Sequence, residues 1–230
     1  MSRLDQQRSV LADMGIDVWL ERPAAGESTG IADGALASAP GDVSPEWVML
    51  EQQVAACQLC ELAGTRTQTV FGLGDRQARL MLIGEAPGAE EDRQGQPFVG
   101  KAGKLLDAML FSIGLSREQV YICNVLKCRP PNNRNPRAVE VDACSAYLSE
   151  QVRMVNPEVV LALGRFAAHS LLQTEDPVYK MRAAENVLPS TDIPVVVTYH
   201  PASLLRNAEQ KAQSWEDLCK VNALLGTEVV

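Results

Sequence analysis

Leu80-Met81-Leu82-Ile83 is an uninterrupted apolar run that stops at Gly84-Glu85-Ala86-Pro87-Gly88. Such a run, closed by glycine and proline, describes a short strand buried on both faces that breaks into a loop. The break leaves a carboxylate, Glu85, at the carboxyl edge of the strand. A second glycine-rich stretch, Gly95–Gly103, then carries Phe98 before a helix opens near Lys101. In open α/β sheets, ligands bind beyond the carboxyl ends of the strands, so this loop is where a site is expected.

The rest of the chain repeats the pattern. A helix is expected to start at Ser44-Pro45-Glu46, which supplies a cap, a first-turn proline and an acid, and to carry Leu50, Val54, Cys57 and Cys60. Val70-Phe71-Gly72 is a candidate short strand. Lys101–Ile113 has helical periodicity through Leu105, Leu106, Met109 and Leu110. Val120–Leu126 is a second buried strand, residues 136–152 a helix, and residues 158–163 a third strand. Phe166–Leu172 is helical, Ile193–Tyr199 a fourth strand, and residues 207–225 a closing helix. Strands alternating with helices predict an α/β fold: a central four-stranded, mostly parallel sheet flanked by helices on both faces.

Of the 230 residues, 46% are hydrophobic, as in ordinary globular chains, and no apolar run approaches the ~20 residues that span a bilayer. The N-terminus has no apolar signal core, so a cytoplasmic location is expected. Residues 1–22 can form a short amphipathic helix, and residues 23–44 are Gly/Ala/Ser/Pro-rich and acidic, the composition of a flexible linker. The chain therefore divides into an N-terminal extension, 1–44, and a globular domain, 45–230. The net charge of −8 argues against nucleic acid only weakly, because residues 1–44 hold seven acidic and three basic side chains. Leu126–Arg137, in contrast, holds Lys127, Arg129, Arg134 and Arg137 with no acid, among prolines and asparagines. That loop is expected to contact phosphates.

Three strands bring a polar residue to their carboxyl ends: Glu85, Asn124 and His200. Their convergence on one rim of a parallel sheet marks a site. Cysteines form a second constellation. Cys57-x-x-Cys60 is placed near the end of the first helix, and Cys128 and Cys144 flank the basic loop with fifteen residues between them. Two pairs in a reducing compartment point to a metal centre, zinc or iron–sulfur, which spacing does not separate. Cys123 and Cys219 fit better as buried small hydrophobes.

The segments GEAPGAEED–GQPFVGKAG, YICNVLKCRPPNNRNP and HPASLLRN resemble the motifs of family 4 uracil-DNA glycosylases, the iron–sulfur type, in order and spacing over residues 45–225. The resemblance implies an enzyme that acts on uracil-containing DNA, and a 4Fe–4S cluster on Cys57, Cys60, Cys128 and Cys144. It places the flipped base on Phe98, with Asn124 on its Watson–Crick edge and His200 donating to uracil O2. Glu85 is the expected water-orienting group. In family 1 enzymes the water-binding aspartate falls one place later, at Ala86 here, so either Glu85 or the backbone around Ala86 holds the water. The tyrosine that excludes thymine in family 1 is matched by Gly88, which shifts that task to a carboxylate among Glu90, Glu91 and Asp92. Leu204 or Leu205 is the expected wedge and Arg206 a phosphate contact, with Lys127, Arg129 and Arg134 tracking the DNA backbone. The rivals are a same-fold glycosylase with broader deaminated-base specificity, a non-catalytic DNA-binding module and a zinc protein. LADMGIDVWLERP resembles the docking peptide of the psi subunit of the bacterial clamp loader, which implies a replisome contact through residues 1–22. The chain is expected to act as a monomer.

Overall fold

The structure, a computed structural model, describes residues 44–226. The helix expected over 1–22 and, apart from Ser44, the linker over 23–44 lie outside the described residues. The sheet has six strands: β1 (Leu73–Gly74), β2 (Leu80–Gly84), β3 (Tyr121–Asn124), β4 (Val159–Leu163), β5 (Asn186–Val187) and β6 (Pro194–Thr198), in the order β1-β3-β2-β4-β6-β5. β3, β2, β4 and β6 are mutually parallel and are the four strands expected from the apolar runs. The two additions are two-residue antiparallel edges, β1 on β3 and β5 on β6.

Alternate residues of the central strands serve opposite layers, as the two-residue period of a strand requires. Met81, Ile83, Tyr121, Cys123, Val160, Ala162, Val195 and Val197 pack in one cluster with α1 (Pro45–Ala55), α4 (Ala138–Val155), α5 (Arg165–Leu172) and α6 (Val178–Ala183). Leu80, Leu82, Ile122, Val159, Leu161, Leu163 and Val196 pack in the other, with α3 (Lys101–Ser112), α7 (Pro201–Leu204) and α8 (Lys211–Leu225). Each fully buried aliphatic side chain contributes about 1.5–3 kcal/mol through lost water contact. Both faces are therefore committed to packing, and chemistry is left to the rim.

Local chemistry sets the helix boundaries. Ser44 caps α1, its side chain accepting from Trp47 N at 3.3 Å, with Pro45 in the first turn. α1 stops at Ala55, so Cys57 and Cys60 sit in the turns that follow it rather than on the helix. α2 (Ala89–Gln94) is closed by Gly95 at φ +73°, a left-handed conformation natural to glycine. α4 starts two residues later than expected because Glu140 accepts from Arg137 N (2.9 Å) and fixes the first turn there. Among the described residues, no helix is long and apolar enough to cross a membrane.

Candidate active site

The four parallel strands end on one rim. Gly84 pairs with Asn124 in register, and Leu163 with Thr198, so Asn124, Glu85, Gly164 and His200 follow one another along the carboxyl edge. The chain order changes sides at β2, whose neighbours β3 and β4 follow it in sequence, which opens the crevice of a doubly wound sheet there.

Two glycines clear this rim. A Cβ on Gly84 would stand 2.4 Å from Asn124 Oδ1 and 2.7 Å from Phe98 Cζ, so the amide and the ring both lie over it. A Cβ on Gly164, at φ +90°, would stand 2.8 Å from His200 Cβ. Phe98 is held at φ +55°, a costly backbone conformation for a bulky residue. Its neighbours over-determine it. Arg117 donates to Pro97 O (2.9 Å) and Phe98 O (2.7 Å), and Glu91 accepts from Val99 N (3.1 Å) and Gly100 N (3.3 Å). The Phe98 ring stacks on His200, centroids 5.6 Å apart and planes 30° from parallel.

Each polar group is prepared differently. Asn124 is 2% exposed, and its Oδ1 is buried with no hydrogen-bond partner among the described residues. A buried acceptor left unpaired costs ~1–3 kcal/mol, a cost that a bound N–H donor removes. His200 Nδ1 accepts from Ala202 N at 3.1 Å, which leaves the proton of the neutral ring on Nε2. Burial, and secondarily Arg206, lowers its pKa to about 4, so it is a neutral donor at physiological pH. Glu85 is half-buried. Desolvation raises its pKa to about 6 and the charge of Arg165 opposes the rise. Arg165, an exposed residue opening α5 with its guanidinium 4.7 Å over the Phe166 ring, went unnoticed in the sequence. Its position directly after a parallel strand and a glycine was the available signal.

Of the three carboxylates on α2, Glu90 pairs with Arg93, and buried Asp92 accepts from Thr67 N (2.9 Å). Glu91 faces the rim: its Oε2 would be 2.7 Å from a Cβ at Gly88.

Cys57, Cys60, Cys128 and Cys144 line one small space together with Arg66, Lys127 and Tyr147. All are free thiols, and Arg66 Nη1 donates to Cys128 Sγ at 3.0 Å. Burial pushes the Cys144 thiol up to about 11 and raises that of Cys128, with Arg66 opposing the latter. Among the described residues, no three His, Cys, Asp or Glu side chains form a group that could hold a single metal ion.

Three basic or apolar surface assignments are corrected. Lys127 is 1% exposed, and its ammonium donates inward to Asn124 O (2.7 Å) and Gln151 Oε1, so it does not face solvent. The guanidinium of Arg134 is engaged by both carboxylate oxygens of Glu140, tying the loop to α4. Leu204 is 1% exposed and packs in the core, whereas Leu205 is 50% exposed. Arg129 is half-buried with Nε donating to Asn133 Oδ1, and Arg206 is exposed, close enough to His200 to act on its charge.

Residues 71–219 of the chain, which hold this sheet and rim, match the family model of the uracil DNA glycosylase superfamily. The chain is 42% identical to a type-4 uracil-DNA glycosylase of Archaeoglobus fulgidus, over 76% of this chain and 91% of that one. It is 38% identical to a type-4 uracil-DNA glycosylase of Thermotoga maritima, over 78% of this chain and 95% of that one. A type-5 uracil-DNA glycosylase of Pyrobaculum aerophilum is 35% identical over a shorter span, 57% of this chain and 64% of its own. The chain belongs to the uracil DNA glycosylase superfamily, and within it to the type-4 uracil-DNA glycosylases.

Proposed function

We infer that the protein is a DNA-repair glycosylase that hydrolyses the N-glycosidic bond of uracil in DNA and leaves an abasic site. The observation that carries this reading is the orphaned Asn124 Oδ1, which shares the space over Gly84 with the Phe98 ring, and the stacking of that ring on a histidine that presents Nε2–H. A buried acceptor and a neutral donor, set around an aromatic ring, suit a planar base that offers an imide N–H and a carbonyl.

The roles follow from the geometry. Uracil within a duplex is out of reach, so the nucleotide flips into the crevice at a cost of a few kcal/mol. Stacking on Phe98 offsets part of this, at about 1–3 kcal/mol per base. Asn124 Oδ1 accepts from N3–H and its amide nitrogen donates to O4, whereas cytosine has no proton on N3. His200 Nε2–H donates to O2, where negative charge collects as the bond to the sugar breaks. Glu85, ionised above its pKa of about 6, orients or deprotonates the attacking water, with the backbone of Ala86 beside it. Glu91 opposite Gly88 is placed to crowd the C5 methyl of thymine. Leu205 is the wedge and Arg206 and Arg129 the phosphate contacts.

The four cysteines suit a 4Fe–4S cluster better than zinc. The four line one space together, and the resemblance to the iron–sulfur type favours the cluster. Bound there, the cluster supplies a cross-link that joins the Cys57–Cys60 turn to α4 and the basic loop. The protein acts as a monomer in the cytoplasm, with its globular domain beginning at residue 45 and a replisome-docking peptide in residues 1–22 of the N-terminal extension. Deleting residues 1–40 should abolish clamp-loader pull-down without altering excision, and an unchanged pull-down removes the docking role.

Single-turnover excision tests the reading. A labelled strand is incubated with the protein and cleaved with alkali. Breaks at uracil, with cytosine, thymine, hypoxanthine and xanthine strands intact, support it. Intact uracil strands reject it, and breaks at the purines replace it with a broader specificity.

A further inference from the structure

Lys127 is a buried cation without an ordinary counter-ion. Its side chain is 1% exposed, and its ammonium donates to the Asn124 carbonyl and Gln151 Oε1, both neutral, with the Cys123 thiol also within hydrogen-bond reach. The other buried ions of the core differ. Glu140 is paired with Arg134, Asp217 with Arg182, and the Asp92 carboxylate accepts from Thr67 N. Gln151 itself is fully committed, its amide donating to Phe71 O (2.9 Å) and the Tyr121 hydroxyl (3.1 Å), so it fixes the ammonium in place. What faces Lys127 is sulfur. It lines the cysteine space, and the ionisable groups around it are Cys123, Cys144 and Cys128. Cys123 lies inside β3, where burial keeps its thiol protonated.

A second cation serves the same space. Arg66 donates to Cys128 Sγ at 3.0 Å, while its other nitrogen clamps Ala55 O (3.0 Å) and Cys57 O (2.9 Å). Beside neutral thiols the Lys127 ammonium is disfavoured by its burial, which lowers its pKa, and the Arg66 guanidinium meets only a weak acceptor in the Cys128 thiol. Directed at an anionic centre on those sulfurs, both are explained.

We propose that Lys127 and Arg66 are the built-in counter-cations of the cysteine centre, and that Lys127 couples this centre to base recognition by holding the carbonyl of Asn124. The proposal rests on the iron–sulfur assignment above. Lys127 is thus a positioning residue: it lines the cluster space, and its ammonium holds the main chain of the residue assigned to read uracil. Reduction potentials of iron–sulfur centres depend on nearby charge and on hydrogen bonds to sulfur, and groups beyond the ligands typically alter function 10–100-fold.

The test uses holoprotein purified without oxygen, as wild type, Arg66→Gln, Lys127→Gln and Lys127→Met. Iron and sulfide content are measured first, then the midpoint potential by protein-film voltammetry, then kcat/KM on a uracil strand. Each variant removes a positive charge, so each should move the potential to a more negative value. Lys127→Met, which also loses the bond to Asn124, should lower kcat/KM about tenfold or more, and further than Arg66→Gln does. Loss of iron from a Lys127 variant with native circular dichroism is the stronger form of the same result. If the Lys127 variants do not fold, half-buried Arg66 decides the charge claim. An unchanged potential in iron-loaded Arg66→Gln or Lys127→Gln overturns the proposal while leaving the cluster assignment intact. Wild-type protein without iron overturns both.

Discussion

Replacing His200 by Ala isolates the chemistry assigned to the rim. The imidazole is held near pKa 4 by burial, so at pH 7.5 fewer than about one molecule in a thousand carries the imidazolium. With Nδ1 occupied by Ala202 N, the group offered to the substrate is the neutral Nε2–H alone. Removing one preorganised donor from a developing anion typically lowers kcat about 10²–10³-fold, or about 2.7–4 kcal/mol. The same change removes the cap on α7, at about 1 kcal/mol of stability, a loss too small to unfold a domain. Single-turnover excision at saturating protein should therefore fall by about two to three orders of magnitude. Binding to a strand containing an abasic site, which lacks the base, should change little. A rate within threefold of wild type, or a loss confined to DNA affinity, refutes the assignment of His200 to the leaving group.

Three other outcomes are expected. Because the folded pKa of Glu85 is raised to about 6, its ionised form is lost as pH falls through that value; the single-turnover rate should drop about tenfold per unit below it and level off above about pH 7, with no second break from His200 until near 4. Gly84→Ala forces a Cβ to 2.4 Å from Asn124 Oδ1 and should cost about 1–3 kcal/mol by denaturant titration and most of the activity, whereas Gly64→Ala, with nothing within 4 Å, should be silent in both. Leu204→Ala should destabilise the fold by about 2–5 kcal/mol, and Leu205→Ala should leave Tm unchanged but slow excision from duplexes more than from single strands, which thermal melts and paired substrates distinguish.

The parallel core was legible because Leu80–Ile83, Val120–Asn124 and Val159–Leu163 are dense apolar runs, each closed by a glycine or a polar residue. Parallel register then forces Glu85, Asn124 and His200 onto one edge, so three of the site's residues followed from strand ends alone. The short strand expected over residues 70–72 lies just beyond it, as β1 at Leu73–Gly74, and β5 was not legible, since two residues carry no alternation. Lys127 misled for a different reason. Lysine is almost never buried, and a stretch of basic, proline and asparagine residues describes a surface loop. Yet the chain stays inside for four residues past β3, and only the cysteine beside Lys127 hinted that it had an interior partner. Arg134 was misassigned because its partner, Glu140, lies six residues on, beyond the loop and within the first turn of α4. Leu204 and Leu205 are adjacent, so one of them had to point inward, and sequence does not say which.

The central claim is that the groups over Gly84 read one base. A crystal structure of the protein with free uracil and an abasic strand tests it most directly. The account predicts uracil against the Phe98 ring, N3–H on Asn124 Oδ1, and O2 within hydrogen-bond reach of His200 Nε2. A uracil bound elsewhere, or bound at the rim with Asn124 Oδ1 still unpaired, would contradict it.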